Sequence, residues 1–211
     1  MGEASLAREF ARNPPPGPMV TIKDLWRDYM RRYVNAGRGD PALPWTVKAP
    51  DLEEAIHRAC MSRGEDGKLW FHQGRVWQRC LEAYEKCLLE NYYDDIEESE
   101  QFWELMIWMR RAANETSGIG PVTEYDVAAR IGAWLEFEPE HLYFHAGVRE
   151  GLRALGVDMP RGTFCLDRER LPKFFHDKHL DIVESFLCGY RSEIERVMQA
   201  KRGSGKGSVQ G

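Results

Sequence analysis

At three places read as helix starts, a capping oxygen is followed three positions later by an acid, and then by apolar residues at helical spacing. The pairs are Thr21 with Asp24, Asp51 with Glu54, and Thr123 with Asp126. The side chain of the first residue accepts an otherwise unpaired amide of the first helical turn, and the acid reaches back, so each pair marks a helix start. After Thr21, residues Ile22, Leu25, Trp26, Tyr29, Met30, Tyr33 and Val34 recur with helical period until Gly37. The helix opened by Asp51 is expected to stop near Gly64. Residues 73–91 put Val76, Trp77, Cys80, Leu81, Tyr84 and Leu88 on one side. Ser99 is placed to cap a helix carrying Phe102, Trp103, Met106, Ile107, Trp108 and Met109. Further helices are expected from Thr123 to about Leu135, over 140–155 and over 178–199. Only Lys68-Leu69-Trp70-Phe71 reads as a short strand. The expected class is therefore all-α.

Residues 21–200 read as a single helical domain. A leader (1–20) is punctuated by Pro14, Pro15, Pro16 and Pro18, and residues 201–211 read as a flexible Gly/Ser-rich tail. No apolar run approaches the roughly 18 residues of a membrane span, and no secretion signal leads the chain. A bacterial cytoplasm, or that of a phage-infected host, is the expected location. Five cysteines without a CxxC pair argue against a disulfide framework. Cys80 and Cys87, two helical turns apart, suit two buried thiols. Most of the seven tryptophans sit at helical core spacing. The acidic run Asp94–Glu98 reads as a solvated segment before a helix N-terminus, with a metal site as the sharper alternative. With 29 Lys+Arg against 34 Asp+Glu the formal charge is −5. A coat of positive charge is excluded, and any grip on nucleic acid must come from a local patch or from backbone amides.

Thr116-Ser117-Gly118-Ile119-Gly120-Pro121-Val122-Thr123 offers such amides between two strong helices. Two glycines around one apolar residue allow a tight turn, with Ile119 pointing between the helices. The amides near Gly118 and Gly120 then face outward beside a helix N-terminus, a seat for a phosphate oxygen. Gly118, Ile119, Gly120 and Thr123 are the expected phosphate-binding residues; the plainer alternative is an αα-turn whose glycines serve geometry alone.

The helix–Gly-Ile-Gly–helix order resembles the helix-hairpin-helix motif of DNA-binding proteins. With the Pro139-to-His145 segment and the arginines Arg149 and Arg153 behind it, residues 99–156 resemble the helix-hairpin-helix DNA glycosylase superfamily, the hairpin itself lying at about 99–135. The small residue usual shortly after the second glycine is replaced by Glu124 and Tyr125. The nucleophilic lysine of bifunctional glycosylases is replaced by Pro121-Val122-Thr123, and the superfamily's aspartate would fall near Phe144 or His145, neither of which is acidic. Ordinary base excision is thus poorly served. The phrase Tyr143-Phe144-His145-Ala146-Gly147-Val148-Arg149-Glu150-Gly151 resembles a phage branch that hypermodifies thymine in DNA, comprising amino-acid or polyamine transferases and the helical domain of hydroxymethyluracil DNA kinases. That resemblance implies a transferase acting on a modified pyrimidine flipped out of double-stranded DNA. It implies a small amine or amino acid as co-substrate, and no cofactor. The alternatives are a base-excision glycosylase using Asp126, and a non-catalytic DNA- or partner-binding module.

His145 titrates near neutrality and suits acid/base work, or else is a core histidine. Arg149 and Arg153 follow at one-turn intervals, a stripe fit for an anionic ligand; an ion pair of Arg149 with Glu150 is the bland alternative. Asp126 and Glu124 could position an amine. His141 with His145, and His176 with His179, have metal-compatible spacings, and Cys165, in an expected loop, could join such a site or act as a nucleophile; no metal is the expectation. Basic residues interleaved with Phe164, Phe174 and Phe175 suit base contacts or an ordinary surface connection.

Overall fold

The structure, a computed structural model, describes residues 21–36, 40–69 and 74–204. The expected leader lies outside them, as does the expected tail beyond residue 204. About two thirds of the described residues are helical, and one small two-stranded sheet accompanies the helices. The chain divides into two compact units. One takes in residues 40–69 and 74–140, the other residues 21–36 and 141–204.

The described chain begins in the second unit with α1 (Ile22–Tyr29), where Thr21 accepts the Asp24 amide and Asp24 accepts the Thr21 hydroxyl, as the capping pair predicts. A π-helical turn, Met30–Val34, continues it.

The first unit holds α2 (Ala42–Val47), α3 (Leu52–Met61), α4 (Gln78–Asn91), α5 (Tyr93–Glu97), α6 (Phe102–Glu115) and α7 (Pro121–Trp134). Asp51 caps α3 through the Glu54 amide at 2.9 Å. The helix ends at Ser62 in the left-handed conformation rather than near Gly64. Helix α2, with Pro44 inside it, has no counterpart in the sequence reading. Helix α4 starts five residues later than expected, so Trp77 precedes it and is 71% exposed instead of joining the core. The Lys68–Phe71 strand reduces to a single bridge of Leu69 with Arg63; residues 70–73 lie outside the described set. The acidic run folds as α5 with Ile96 buried, and Ser99 turns back to the Asp95 carbonyl, leaving Gln101 before α6. Apolar faces of α3, α4, α6 and α7 meet over Ile56, Tyr84, Leu88, Leu105, Met109, Val127 and Ile131, all buried. Each such side chain contributes about 1.5–3 kcal/mol. The Tyr84 hydroxyl donates to the Met109 carbonyl at 2.8 Å, so its polar end is satisfied inside the core.

Arg130 on α7 is the largest wholly buried side chain of this unit. Its guanidinium donates to Asp40 Oδ2 at 2.6 Å, to the Ala59 carbonyl at 2.7 Å and to Ser62 Oγ at 2.6 Å. It thereby fastens α7 to the C-terminal end of α3, whose last carbonyls have no helical partner.

In the second unit β1 (His141–Tyr143) pairs antiparallel with β2 (Cys165–Asp167), in the register His141 to Asp167, Leu142 to Leu166 and Tyr143 to Cys165. Leu142 and Leu166 point inward together. The expected helix over 140–155 is therefore shorter, α8 (Ala146–Leu155), and Cys165 sits in a strand rather than a loop. The expected helix over 178–199 is two: α9 (Leu180–Gly189) and α10 (Arg191–Ser204), separated at Tyr190. The core is aromatic. Trp26 meets Phe186, Phe175 and Phe174 at ring separations of 5.2, 5.8 and 5.9 Å, mostly edge-to-face. Phe174 and Phe175 are thus occupied with packing, and Arg168 donates to the His176 and Lys178 carbonyls. Helix α8 lies unusually close to α9. A Cβ at Gly151 would stand 2.5 Å from the Leu187 carbonyl oxygen, and one at Gly147 would stand 2.5 Å from Cys188 Sγ. Only glycine permits that approach.

Candidate functional site

The turn between α6 and α7 has the form expected of it. Helix α6 ends at Glu115, and Thr116 is buried with its amide on the Ala113 carbonyl. Gly118 adopts a φ of +87°, which a residue with a Cβ rarely adopts, and a Cβ there would also lie 2.8 Å from Cys80 Sγ. Gly120 is the N-cap of α7, with an extended backbone and Pro121 at the first helical position. The amides of Gly118, Ile119 and Gly120 have no protein acceptor among the described residues. Ser117 and Gly118 are exposed, while Ile119 and Gly120 are half-buried. Unpaired amides at the N-terminus of a fourteen-residue helix make a surface that favours an anion.

Two details depart from expectation. The cap is Gly120, not Thr123, because Pro121 already stands inside the helix. Thr123 falls on the first turn with its side chain buried, which removes that side chain from any surface seat. Gly120 also has open space where a Cβ would be, so its value there is not steric. Glu124, on the same turn, is buried; desolvation pushes its carboxyl above the ordinary range against the opposing pull of Arg110, 3.6 Å away. Asp126 is half-buried one turn further on. Cys80 and Cys87, expected to be buried, are both half-buried.

The second unit breaks up the expected stripe of His145, Arg149 and Arg153. Arg153 is exposed in the last turn of α8. Arg149 donates to the Thr163 carbonyl at 2.9 Å and stacks 4.5 Å from the Phe144 ring centre. Glu150 pairs with Arg191 instead. His145, at the N-cap position of α8, is only 4% exposed, and its Nε2 shares a hydrogen bond with Glu184 Oε1 on α9. The sequence offered no carboxylate next to His145; the fold brings one from 39 residues away. Ser185 Oγ donates to the other oxygen of Glu184 at 3.0 Å. Cys188 lies one turn along α9, and ligand atoms of His145, Glu184 and Cys188 all fall within 4.8 Å of one another. Tyr29 borders this group; burial and then the Glu184 charge push its phenol well above the ordinary range.

Glu184 and Cys188 were missed by sequence reasoning. Their i, i+4 spacing on one helix was available as a signal, whereas the partner histidine lies on another element. His141 Nδ1 stands 3.1 Å from Asp167 Oδ1. Asp126 belongs to the first unit, whereas His145, Arg149 and Arg153 belong to the second. A shallow hollow lined by Asp51, Glu54, His57, Arg58 and Glu85 in the first unit contains none of the expected site residues. Among the described residues no helix is long and apolar enough to cross a membrane.

Comparison with known proteins found no matching family model, no matching curated protein and no matching solved structure.

Proposed function

We propose that the α6–turn–α7 segment is a helix-hairpin-helix that binds the DNA phosphate backbone, and that the chain is an enzyme acting on a modified pyrimidine base, as a transferase in thymine hypermodification. The observation that carries the binding half is the row of unpaired amides at Gly118, Ile119 and Gly120 beside the N-terminus of α7. They give a chain of net charge −5 a means of holding phosphate without a cationic coat. The chemical half is supported by the pairing of His145 with Glu184, which supplies a carboxylate that the sequence alone does not place there. A second reading, a DNA-binding module without catalysis, is favoured by the burial of His145 and the engagement of Arg149 with Thr163.

Gly120→Asp tests the binding half. Aspartate is a better N-cap than glycine by a few tenths of a kcal/mol, and the open space at this position accepts it. Its carboxylate would accept the Val122 or Thr123 amide at the helix start and repel phosphate. Unfolding midpoints should hold or rise slightly while affinity for duplex DNA falls at least about tenfold. Unaltered affinity would remove the hairpin from the interface. For the chemistry, DNA containing hydroxymethyluracil or its pyrophosphorylated form is incubated with the protein and amino acids or polyamines, and the nucleosides are weighed. A new amine adduct is expected. Abasic sites would mean base excision instead, and retained binding with unchanged nucleosides would leave the non-catalytic reading standing.

A further inference from the structure

We propose that His145, Glu184 and Cys188 form an open, three-ligand site for a zinc-class transition-metal ion in the second unit. The inference is independent of any action on DNA, since it needs only these three side chains and the helices that hold them.

The three residues are the one group of three or more potential metal ligands among the described residues. His145 and Glu184 are buried, and Cys188 is half-buried. The donor set decides the class of ion. An imidazole nitrogen, a carboxylate oxygen and a thiolate suit zinc and its first-row neighbours, whereas the hard ions magnesium and calcium reject sulfur. The charges also balance. One carboxylate and one thiolate neutralise a divalent ion, and the imidazole binds as the neutral form. The filled site would carry no net charge into a region where an isolated ion is costly to bury. Uptake releases the Cys188 thiol proton and any proton on the ligating imidazole nitrogen.

The geometry is close to what such a site requires. Zinc–ligand lengths of about 2.0–2.3 Å give edges of roughly 3.4 Å between neighbouring ligands of a tetrahedron. The three ligand atoms already lie within 4.8 Å of one another. Closing the remainder takes a side-chain rotation at Cys188 and a slight parting of His145 from Glu184. The surroundings are those of an oriented ligand set. Ser185 Oγ holds the far oxygen of Glu184 at 3.0 Å, the kind of outer hydrogen bond that aims a ligating carboxylate. Glu184 and Cys188 are i, i+4 on α9 and so share a face, and Gly147 and Gly151 let α8 approach until His145 reaches that face. Three protein ligands with one position left over is the pattern of a site that keeps a place for water or a substrate oxygen, rather than of a closed structural one.

The test uses the full chain, stripped with a chelator and titrated with cobalt(II) as a spectroscopic probe. The expected result is uptake of one ion per chain, with the visible bands of a four-coordinate centre and a near-ultraviolet thiolate-to-cobalt band, both erased by zinc. Cys188→Ser preserves the packing volume. It should abolish the thiolate band with an unchanged far-ultraviolet dichroism spectrum, and Glu184→Gln, which removes a direct ligand, should weaken zinc affinity by at least the roughly 10–100-fold that loss of an outer partner costs. No uptake by the unaltered chain would overturn the proposal. So would a thiolate band that persists in Cys188→Ser, which would assign the metal to other cysteines. DNA binding is read separately, so loss of one result leaves the other intact.

Discussion

Each unit buries a strongly polar group at the junction of two helices, and the two treat it differently. In the first, the Arg130 guanidinium is taken up by one carboxylate, one main-chain carbonyl and one hydroxyl, all acceptors that do nothing but hold it. In the second, His145 meets Glu184 with Cys188 beside them, a set of atoms that can exchange protons or bind an ion. A buried charge held on several sides by hydrogen bonds is a fastener. A buried cluster of titratable side chains is a poor fastener, because pairing brings little net stability after desolvation, and it is better suited to chemistry.

The contrast makes its largest claim on stability. Arg130→Met should lower the unfolding free energy by about 3–5 kcal/mol, since it leaves Asp40 and the end of α3 without their partner. Cys188→Ser should change it by less than about 1 kcal/mol. Denaturant midpoints for the two variants, compared at equal m-value, decide the matter. A mild Arg130 variant would break the distinction between fastener and site.

The second unit has a fastener of its own. Asp28 is buried and accepts from Arg31 at 2.7 Å, Arg32 at 2.8 Å and the Tyr190 hydroxyl at 2.9 Å. Burial alone would push its carboxyl up, but these hydrogen bonds outweigh it and hold the group below the ordinary range. A folded value below the unfolded one means that the stabilisation is complete above roughly pH 4 and is lost as pH falls through the folded value. Asp28→Asn should therefore cost about 2–3 kcal/mol at neutral pH. It should also flatten this part of the acid limb, as followed by urea unfolding between pH 2 and pH 7. A parent and variant that lose stability in parallel on acidification would show that Asp28 is not the group responsible.

Local signals were legible and distant ones were not. The Thr21 and Asp51 caps and the Gly118–Gly120 turn are written in consecutive residues, and each forms. Thr123 failed as a cap because Pro121 claims the first helical position ahead of it. The strands β1 and β2 escaped notice because three residues are too few to display an alternation, and their pairing joins positions more than twenty residues apart. Arg130 sits among apolar neighbours at helical spacing, yet its partners come from Asp40, Ala59 and Ser62. No local pattern encodes that. The same holds for the meeting of His145 with Glu184, and it explains why the α6–α7 turn could be foreseen while the composition of the second cluster could not.

Gly118 measures how much of the α6–α7 turn is backbone and how much is packing. Gly118→Ala must hold an L-residue at φ +87° and press a methyl against Cys80 Sγ. About 1–3 kcal/mol of destabilisation is expected. Adding Cys80→Ala removes the collision and leaves the dihedral strain. The double variant should therefore recover part of the loss relative to the sum of the singles, the signature of two residues in contact. Simple additivity in thermal unfolding would place the whole cost in the backbone.

Glu124 gives the smallest effect and the most pointed sign. It is buried within one turn of Gly120, and desolvation keeps its carboxyl above the ordinary range despite Arg110. A folded value above the unfolded one means that ionisation works against folding. The penalty is absent below the unfolded value, near pH 4, and grows as pH rises through the folded value. Glu124→Gln should thus raise the unfolding midpoint modestly at neutral pH and leave it unchanged in acid, the reverse of Asp28→Asn. If the α7 N-terminus receives a phosphate, the same change removes a negative charge from its vicinity, so DNA affinity should rise together with stability. A variant that gains stability at every pH would trace the gain to packing rather than to charge. One that gains stability without gaining affinity would place the DNA contact away from this turn.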